Sequence, residues 1–378
     1  MSLGIIDVRE WQTTVDFETG LKKSVENEMT EIAKKVIAGK YYPGDLDDSG
    51  VEWIRKMAIE LNEHYKPNLM FLDFAQAYFY SLYSDFLHER WREIVRSIFK
   101  NIEIFIEETG FTPVIVGLGE MTDIKGYIDI SALRGLPTST NWSYQTAGFY
   151  DVHKDEIEDI KNMPHVRKVI SRDEFLGKYE CSQSIKERFP EYLLLAEEGY
   201  TFKGFSSGSR RKFKIPAVNR EIPVYNPLGR TESIIGIRGT IEKALPEKNI
   251  ALIIVEGIGE KDFPYDYELC SNTIGSYSYE NLENQYMAIS TGKHMPELYF
   301  PPVHLYYEDD YELSNYPFSG AYNEMPQNTI GRIKGIKSAA VGTRGMVTHV
   351  ASGADICIEC FSRTLYNFGT MAIINDPK

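Results

Sequence analysis

The chain has 378 residues, 43% hydrophobic and 25% charged, enough for a sizeable core in one large α/β domain or two smaller ones. Its formal net charge of −14 argues against nucleic acid and anionic membranes as general partners, since both repel an acidic surface. Four cysteines in so long a chain make no disulfide framework. No apolar run approaches the roughly 20 residues of a membrane span, and no signal-peptide pattern stands out, so a cytoplasmic protein is expected.

Residues 21–38 and 49–64 carry helical apolar spacing, broken by Tyr42-Pro43-Gly44. Residues 68–74 (Asn-Leu-Met-Phe-Leu-Asp-Phe) read as a buried strand, 86–109 as a long amphipathic helix ended at Gly110, and 113–119 as the next strand and its turn. Strand, helix, strand in this order predicts an α/β fold with a mostly parallel central sheet and helices on both faces. Residues 147–151 and 166–170 look strand-like around a helix near 154–162, and 192–200 carry another apolar run. Residues 203–235 are rich in Gly, Ser, Pro and Arg with little periodicity, which predicts a long loop or linker. Its basic run, 209–214, reads as a solvated loop or as a phosphate or partner contact. An apolar strand, Ile250-Ala251-Leu252-Ile253-Ile254-Val255, then runs into Glu256-Gly257-Ile258-Gly259. Residues 328–345 read as helix, strand and glycine turn. Cys357 and Cys360 sit in an apolar-alternating run with no second pair nearby, and read as buried thiols, or else as a redox pair or metal ligand.

Several residues at the strand ends carry candidate chemistry. Gly257 and Gly259, with Gly117, Gly119 and Glu120 at the other strand end, could let backbone N–H groups approach an anion; a tight strand-to-helix turn explains the same glycines without a ligand. Thr273 and Ser276 could supply a nucleophile, or serve as ordinary loop hydroxyls. Lys293-His294 follow Thr291-Gly292 near the expected cleft mouth, or form an exposed pair. His349, Asp355 and Glu359 could hold one metal ion or make a satisfied network. Dinucleotide, P-loop, zincin and hydrolase-elbow motifs are absent.

With Tyr286-Met287-Ala288-Ile289-Ser290-Thr291-Gly292 included, residues 250–292 resemble the opening of the alkaline phosphatase/nucleotide pyrophosphatase-phosphodiesterase superfamily. There a strand ends in Asp-Gly-x-Gly, a Thr or Ser nucleophile follows, and a Thr-Gly closes the segment. Residues 67–74, 114–123, 163–174 and 192–200 are similar to its metal-bearing strands and the elements after them, and 328–342 to the helix and strand that follow the nucleophile. The order is permuted: 250–378 resembles the nucleophile-bearing first half, 1–202 the metal-bearing second half, and 203–249 the join. A circular permutation accounts for this, and so does a chance likeness.

The resemblance implies one large domain over 1–378 with an alkaline phosphatase-like core. It also implies two divalent metals held by Asp and His, with a hydroxyl nucleophile. The matched positions depart from that pattern. Glu256 replaces the strand-end Asp, Leu282 (or Asn281) the nucleophile, residues 75–81 the expected Asp and His, and Gly-Leu-Gly at 117–119 an Asp-His pair. No metal or other cofactor is therefore expected. The reading is a relative that has lost its two-metal site and nucleophile, binding a small polar or anionic ligand or acting as a subunit of an assembly. Two alternatives stay open: an active hydrolase with a rebuilt site using Glu256 with His294 or His349, and a structural protein whose Tyr-rich segment 298–322 makes a homo-oligomer interface. Ligands of such sheets bind beyond the carboxyl ends of the strands, so residues 117–120, 256–260 and 273–278 are expected to line one crevice.

Overall fold

The computed structural model describes residues 46–297, apart from 86, 139–144, 182, 184–185, 187–188, 204–211, 276 and 280–282. It also describes residues 35, 40, 43 and 44 and the backbone of short strands on either side. The main sheet has eleven strands. In chain order these are β1 (Ser2–Asp7), β2 (Thr14–Asp16), β3 (Lys22–Lys23), β4 (Leu69–Phe74), β5 (Thr112–Gly117), β6 (Glu221–Tyr225), β7 (Ile250–Val255), β8 (Glu268–Ser271), β9 (Ser338–Gly342), β10 (Ile356–Glu359) and β11 (Thr370–Asn375). Across the sheet they run β8-β6-β5-β7-β4-β9-β10-β11-β1-β2-β3.

Continuous apolar runs form the centre, as strands buried on both faces require. Every residue of β4 and β7 is buried. β7 lies between β4 and β5 and is parallel to both, so residues 250–255 and 112–117 are neighbours, as the resemblance required. Helices cover both faces. On one, α1 (Ser49–Tyr65), α2 (Gln76–Tyr83) and α3 (His88–Thr109) pack on Met70, Leu72, Phe74, Ala251 and Ile253. On the other, α4 (Ile237–Ala244) and α5 (Glu283–Thr291) pack on Leu69, Phe71, Leu252 and Ile254. α3 stops where Gly110 adopts φ 70, a left-handed C-cap that returns its N–H to Ile106 O.

Two expectations need correction. The sheet is parallel only through β5, β7, β4, β9 and β10; β6 and β8 on one side, and β11, β1, β2 and β3 on the other, are antiparallel additions. A parallel strand needs a long crossover, whereas flanking strands can be added by short antiparallel returns. Residues 203–235 are also not a plain loop, because β6 arises there and pairs with β5 and β8. Pro223 in Glu-Ile-Pro-Val-Tyr hid the strand, yet Ile222 and Val224 flank it and bury into the core under α4.

A smaller antiparallel sheet joins Leu136–Thr138, Thr146–Tyr150, Tyr192–Ala196 and Val166–Ser171 around its own core of Ile128, Phe149 and Leu194. Among the described residues no helix is long and apolar enough to cross a membrane. Within the helix predicted at 21–38, Lys22–Lys23 pair with β2 as strand β3 instead and residue 35 is helical; the rest of that stretch, the Tyr-rich segment apart from the backbone of Tyr306–Tyr307 and Leu313–Ser314, the basic run up to Arg211, and the side chains of His349, Asp355, Cys357, Glu359 and Cys360 lie outside the described residues.

Candidate functional site

The carboxyl ends of β4, β5 and β7 meet under α5. Asp73 pairs in register with Ile254, and Glu256 follows Val255 one residue beyond β7. Side chains alternate along a strand, so Asp73 shares a face with Leu69 and Phe71, and Glu256 shares one with Leu252 and Ile254. Both carboxyl groups thus face α5, and both residues are 0% exposed. α5 supplies Tyr286, whose ring meets Phe71 edge-on at 6.1 Å. Its hydroxyl lies 3.0 Å from Asp73 Oδ2 and also hydrogen-bonds Glu256 Oε1.

Around this trio the polar groups are mostly acceptors. Gln285 Nε2 donates to Leu118 O at 3.2 Å and to Asn272 Oδ1 at 3.1 Å, while Gln285 Oε1 is buried with no hydrogen-bond partner among the described residues. Asn272 Nδ2 in turn donates to Asn219 O and Tyr279 O. Asn219 clasps the backbone of Glu120, accepting from its N–H at 2.9 Å and donating to its carbonyl at 3.1 Å.

The glycine turns bring chain against chain. Gly257 has φ 74, and a Cβ there would lie 2.7 Å from the backbone of Tyr78. Gly119 has φ 112, and its Cβ would lie 2.3 Å from the Asn219 side chain. Gly117 and Gly259 are packed as tightly, against Ile258 O and the Glu120 side chain. Several amides of these turns donate within the protein: Leu118, Gly119 and Glu256 donate to Val255 O, Ile258 O and Phe74 O, and Glu120 donates to Asn219. The tight-turn reading of these glycines therefore accounts for the geometry. Glu120 itself points outward to Lys261 at 2.9 Å.

Of the nucleophile and base candidates among the described residues, only Glu256 joins the buried cluster. The Thr273 hydroxyl pairs with Ser271 Oγ at 3.0 Å, at the base of a short hairpin; Ser276, at its tip, lies outside the described residues. His294 Nδ1 hydrogen-bonds Tyr279 O–H at 2.6 Å, and its backbone N–H donates to Glu297. Burial pushes the His294 imidazole below its ordinary value. The segments 117–120 and 256–260 meet, and Asn272, just before 273–278, ties that hairpin to them through Asn219 and Gln285.

Asp73, Tyr286, Gln285 and Asn272 were not singled out from the sequence. Asp73 carries the one available signal, a lone carboxylate inside an otherwise apolar run. Among the described residues the cluster offers two carboxylates, a phenol and an amide, with none of the imidazole ligands of the two-cation site that the sequence resemblance implies. Among the described residues no group of three His, Cys, Asp or Glu side chains could hold a metal ion.

An open space lies on the opposite face. A cleft of about 330 Å³ runs between α1, α2 and α3, and Gln76, Tyr80, Arg90 and Ser97 line it together with Asp47, Asp48 and Glu93. Arg90 is held by Asp48 and Glu93, so the rim stays acidic.

No family model matches the sequence, and no curated protein matches it. Among solved structures, it is similar to phosphonoacetate hydrolase from Sinorhizobium meliloti 1021 in complex with phosphonoformate, at 13% identity and a TM-score of 0.38, over 54% of this chain and 55% of that one. The same enzyme in complex with phosphonoacetate matches at 12% identity and a TM-score of 0.37, over 56% and 58%. The likeness spans little more than half of those proteins, so the reading of the site rests on its own residues.

Proposed function

We propose that this chain is an alkaline phosphatase-like α/β protein that does not run two-metal phosphoester chemistry, and that it acts by binding a small polar ligand or as a subunit of an assembly. One observation carries this reading. Where the family resemblance would place a cation, the carboxyl groups of Asp73 and Glu256 are fully buried and both hydrogen-bond Tyr286. A reacting phosphoryl group needs cations and donors in reach of water. The cluster offers mainly acceptors in a dry position.

The cleft between α1, α2 and α3 is the better ligand space, and its three carboxylates against one arginine favour a neutral or cationic ligand over an anionic one. Metal analysis of the purified protein, with turnover of bis(p-nitrophenyl) phosphate in added manganese or zinc, tests the reading. A metal-free, inactive protein is expected. Two tightly held divalent ions accompanied by turnover would overturn it. A thermal-shift panel is expected to find stabilisers among small amines and neutral polar molecules before phosphate esters.

A further inference from the structure

The smaller sheet has one irregularity, and an arginine sits on it. Val166 pairs with Ala196 and Lys168 with Leu195, so Arg167 is the extra residue of a β-bulge on the edge strand Val166–Ser171. A bulge takes its residue out of the ladder and re-aims the side chain. Here Arg167 Nε comes within 3.4 Å of Ala196 O. Ala196 N–H donates to Gln145 O, and Gln145 Nε2 reaches Pro216 O at 2.6 Å, which ties this corner to the segment leading into β6. That segment ends in Arg220, beyond the carboxyl end of β5. The backbone is fixed there, since Asn219 clasps Glu120 and Arg220 O accepts from Asn272 N–H.

The two guanidinium groups are neighbours. Partial desolvation, and after it the charge of Arg220, hold the Arg167 pKa below its ordinary value. Among the described residues neither arginine has a carboxylate within ion-pair reach, and the acids beside them are engaged elsewhere, Glu197 with His165 and Glu120 with Lys261. In a chain of 55 acidic and 41 basic residues, composition alone does not lead to two arginines set together without an acid. Like charges so placed repel until an anion joins them, and the planar fork of arginine matches the paired oxygens of a carboxylate or phosphate. We propose that Arg167 and Arg220 form a binding site for an oxyanion, the carboxylate or phosphate group of a small ligand, beyond the carboxyl end of β5. Side chains hold the anion there, not the amides of the glycine turns. The site shares no residue with the cleft between α1, α2 and α3 and is independent of what that cleft binds. Both arginines are exposed, so water weakens the contact, and direct titration reads it better than a melting temperature does.

Isothermal titration of the full chain with malonate and, separately, with inorganic phosphate, at constant ionic strength, tests the site. Saturable binding of at least one anion is expected, and the arm that binds tells a carboxylate ligand from a phosphate one. Arg167→Gln and Arg220→Gln should each weaken it on the order of tenfold, and the double variant should abolish it. Arg167→Lys, which keeps the charge and loses the fork, should fall between. The Tm of Arg220→Gln should equal or exceed that of wild type, because a repulsion is relieved; a merely structural arginine would lower it. Should the bulge variant fail to fold, Arg220→Gln decides alone. Binding of neither anion, unchanged binding in Arg220→Gln or in the double variant, or equal displacement by chloride overturns the site.

Discussion

Asp73 and Gln76 lie three residues apart at the end of one strand, yet they enter opposite environments. Asp73 turns toward α5 into a sealed cluster with Glu256 and Tyr286. Gln76 opens α2 and lines the cleft on the other face of the sheet, where acids and hydroxyls meet solvent. The difference lies in what each face packs against β4. On one side a tyrosine from a distant helix fills the space beyond the strand ends, and on the other three helices leave a gap between them. The strand-end carboxyl groups on the α5 side are thus buried, while the open space among the described residues lies on the far side of the sheet.

The sharpest break of this contrast is Tyr286→Phe. The phenol is the donor shared by two buried carboxyl groups, and losing a donor to buried charge costs about 3 kcal/mol. Chemical denaturation should show that loss, and the double variant with Glu256→Gln should recover part of it, because one of the stranded acids is then neutral. Equal destabilisation in the single and double variants would mean that the two groups are not coupled. Next in size is Gly257→Ala. Its backbone is left-handed, and the added Cβ would press on the Tyr78 backbone, so a cost of about 2 kcal/mol is expected in equilibrium unfolding. An unchanged stability would mean that the β7 turn and α2 can separate without loss, and the sealed side would then be less rigid than described.

His294 provides a milder probe, outside the cluster. Burial disfavours its imidazolium, so the folded protein binds that proton less readily than the unfolded chain does. The contribution is fully present above the unfolded value near 6.5 and is lost as pH falls below it. Unfolding titrations should show wild type weakening on the acid side, with His294→Gln flatter.

The centre of the fold was legible because its signals are local. β4 and β7 are unbroken apolar runs, and α3 carries its stripe to the residue before Gly110. β6 was not, because Pro223 interrupts the run and strand pairing with β5 and β8 outweighs the local preference. Glu256 was legible as an acid at a strand end. Tyr286 was not, since only the docking of α5 brings its hydroxyl to acids 213 and 30 residues away. Gln285 and Asn272 look like surface polar residues in sequence; their burial follows from the turns they tie together.

The smallest expected effect concerns the rim that joins the two turns. Glu120 and Lys261 meet at 2.9 Å, but Lys261 is largely exposed, and such pairs contribute about 0–1 kcal/mol. The Glu120 backbone, clasped by Asn219, holds the turn far more firmly than its side chain does. Glu120→Gln should therefore leave Tm nearly unchanged and insensitive to salt, whereas Asn219→Ala should lower it by several degrees, since the part-buried Glu120 N–H loses its acceptor and the Glu120 carbonyl keeps only the Ala217 N–H. If the Glu120 variant proved the more damaging of the two, the rim would depend on its charge, and an anion-facing role for these turns would regain its footing.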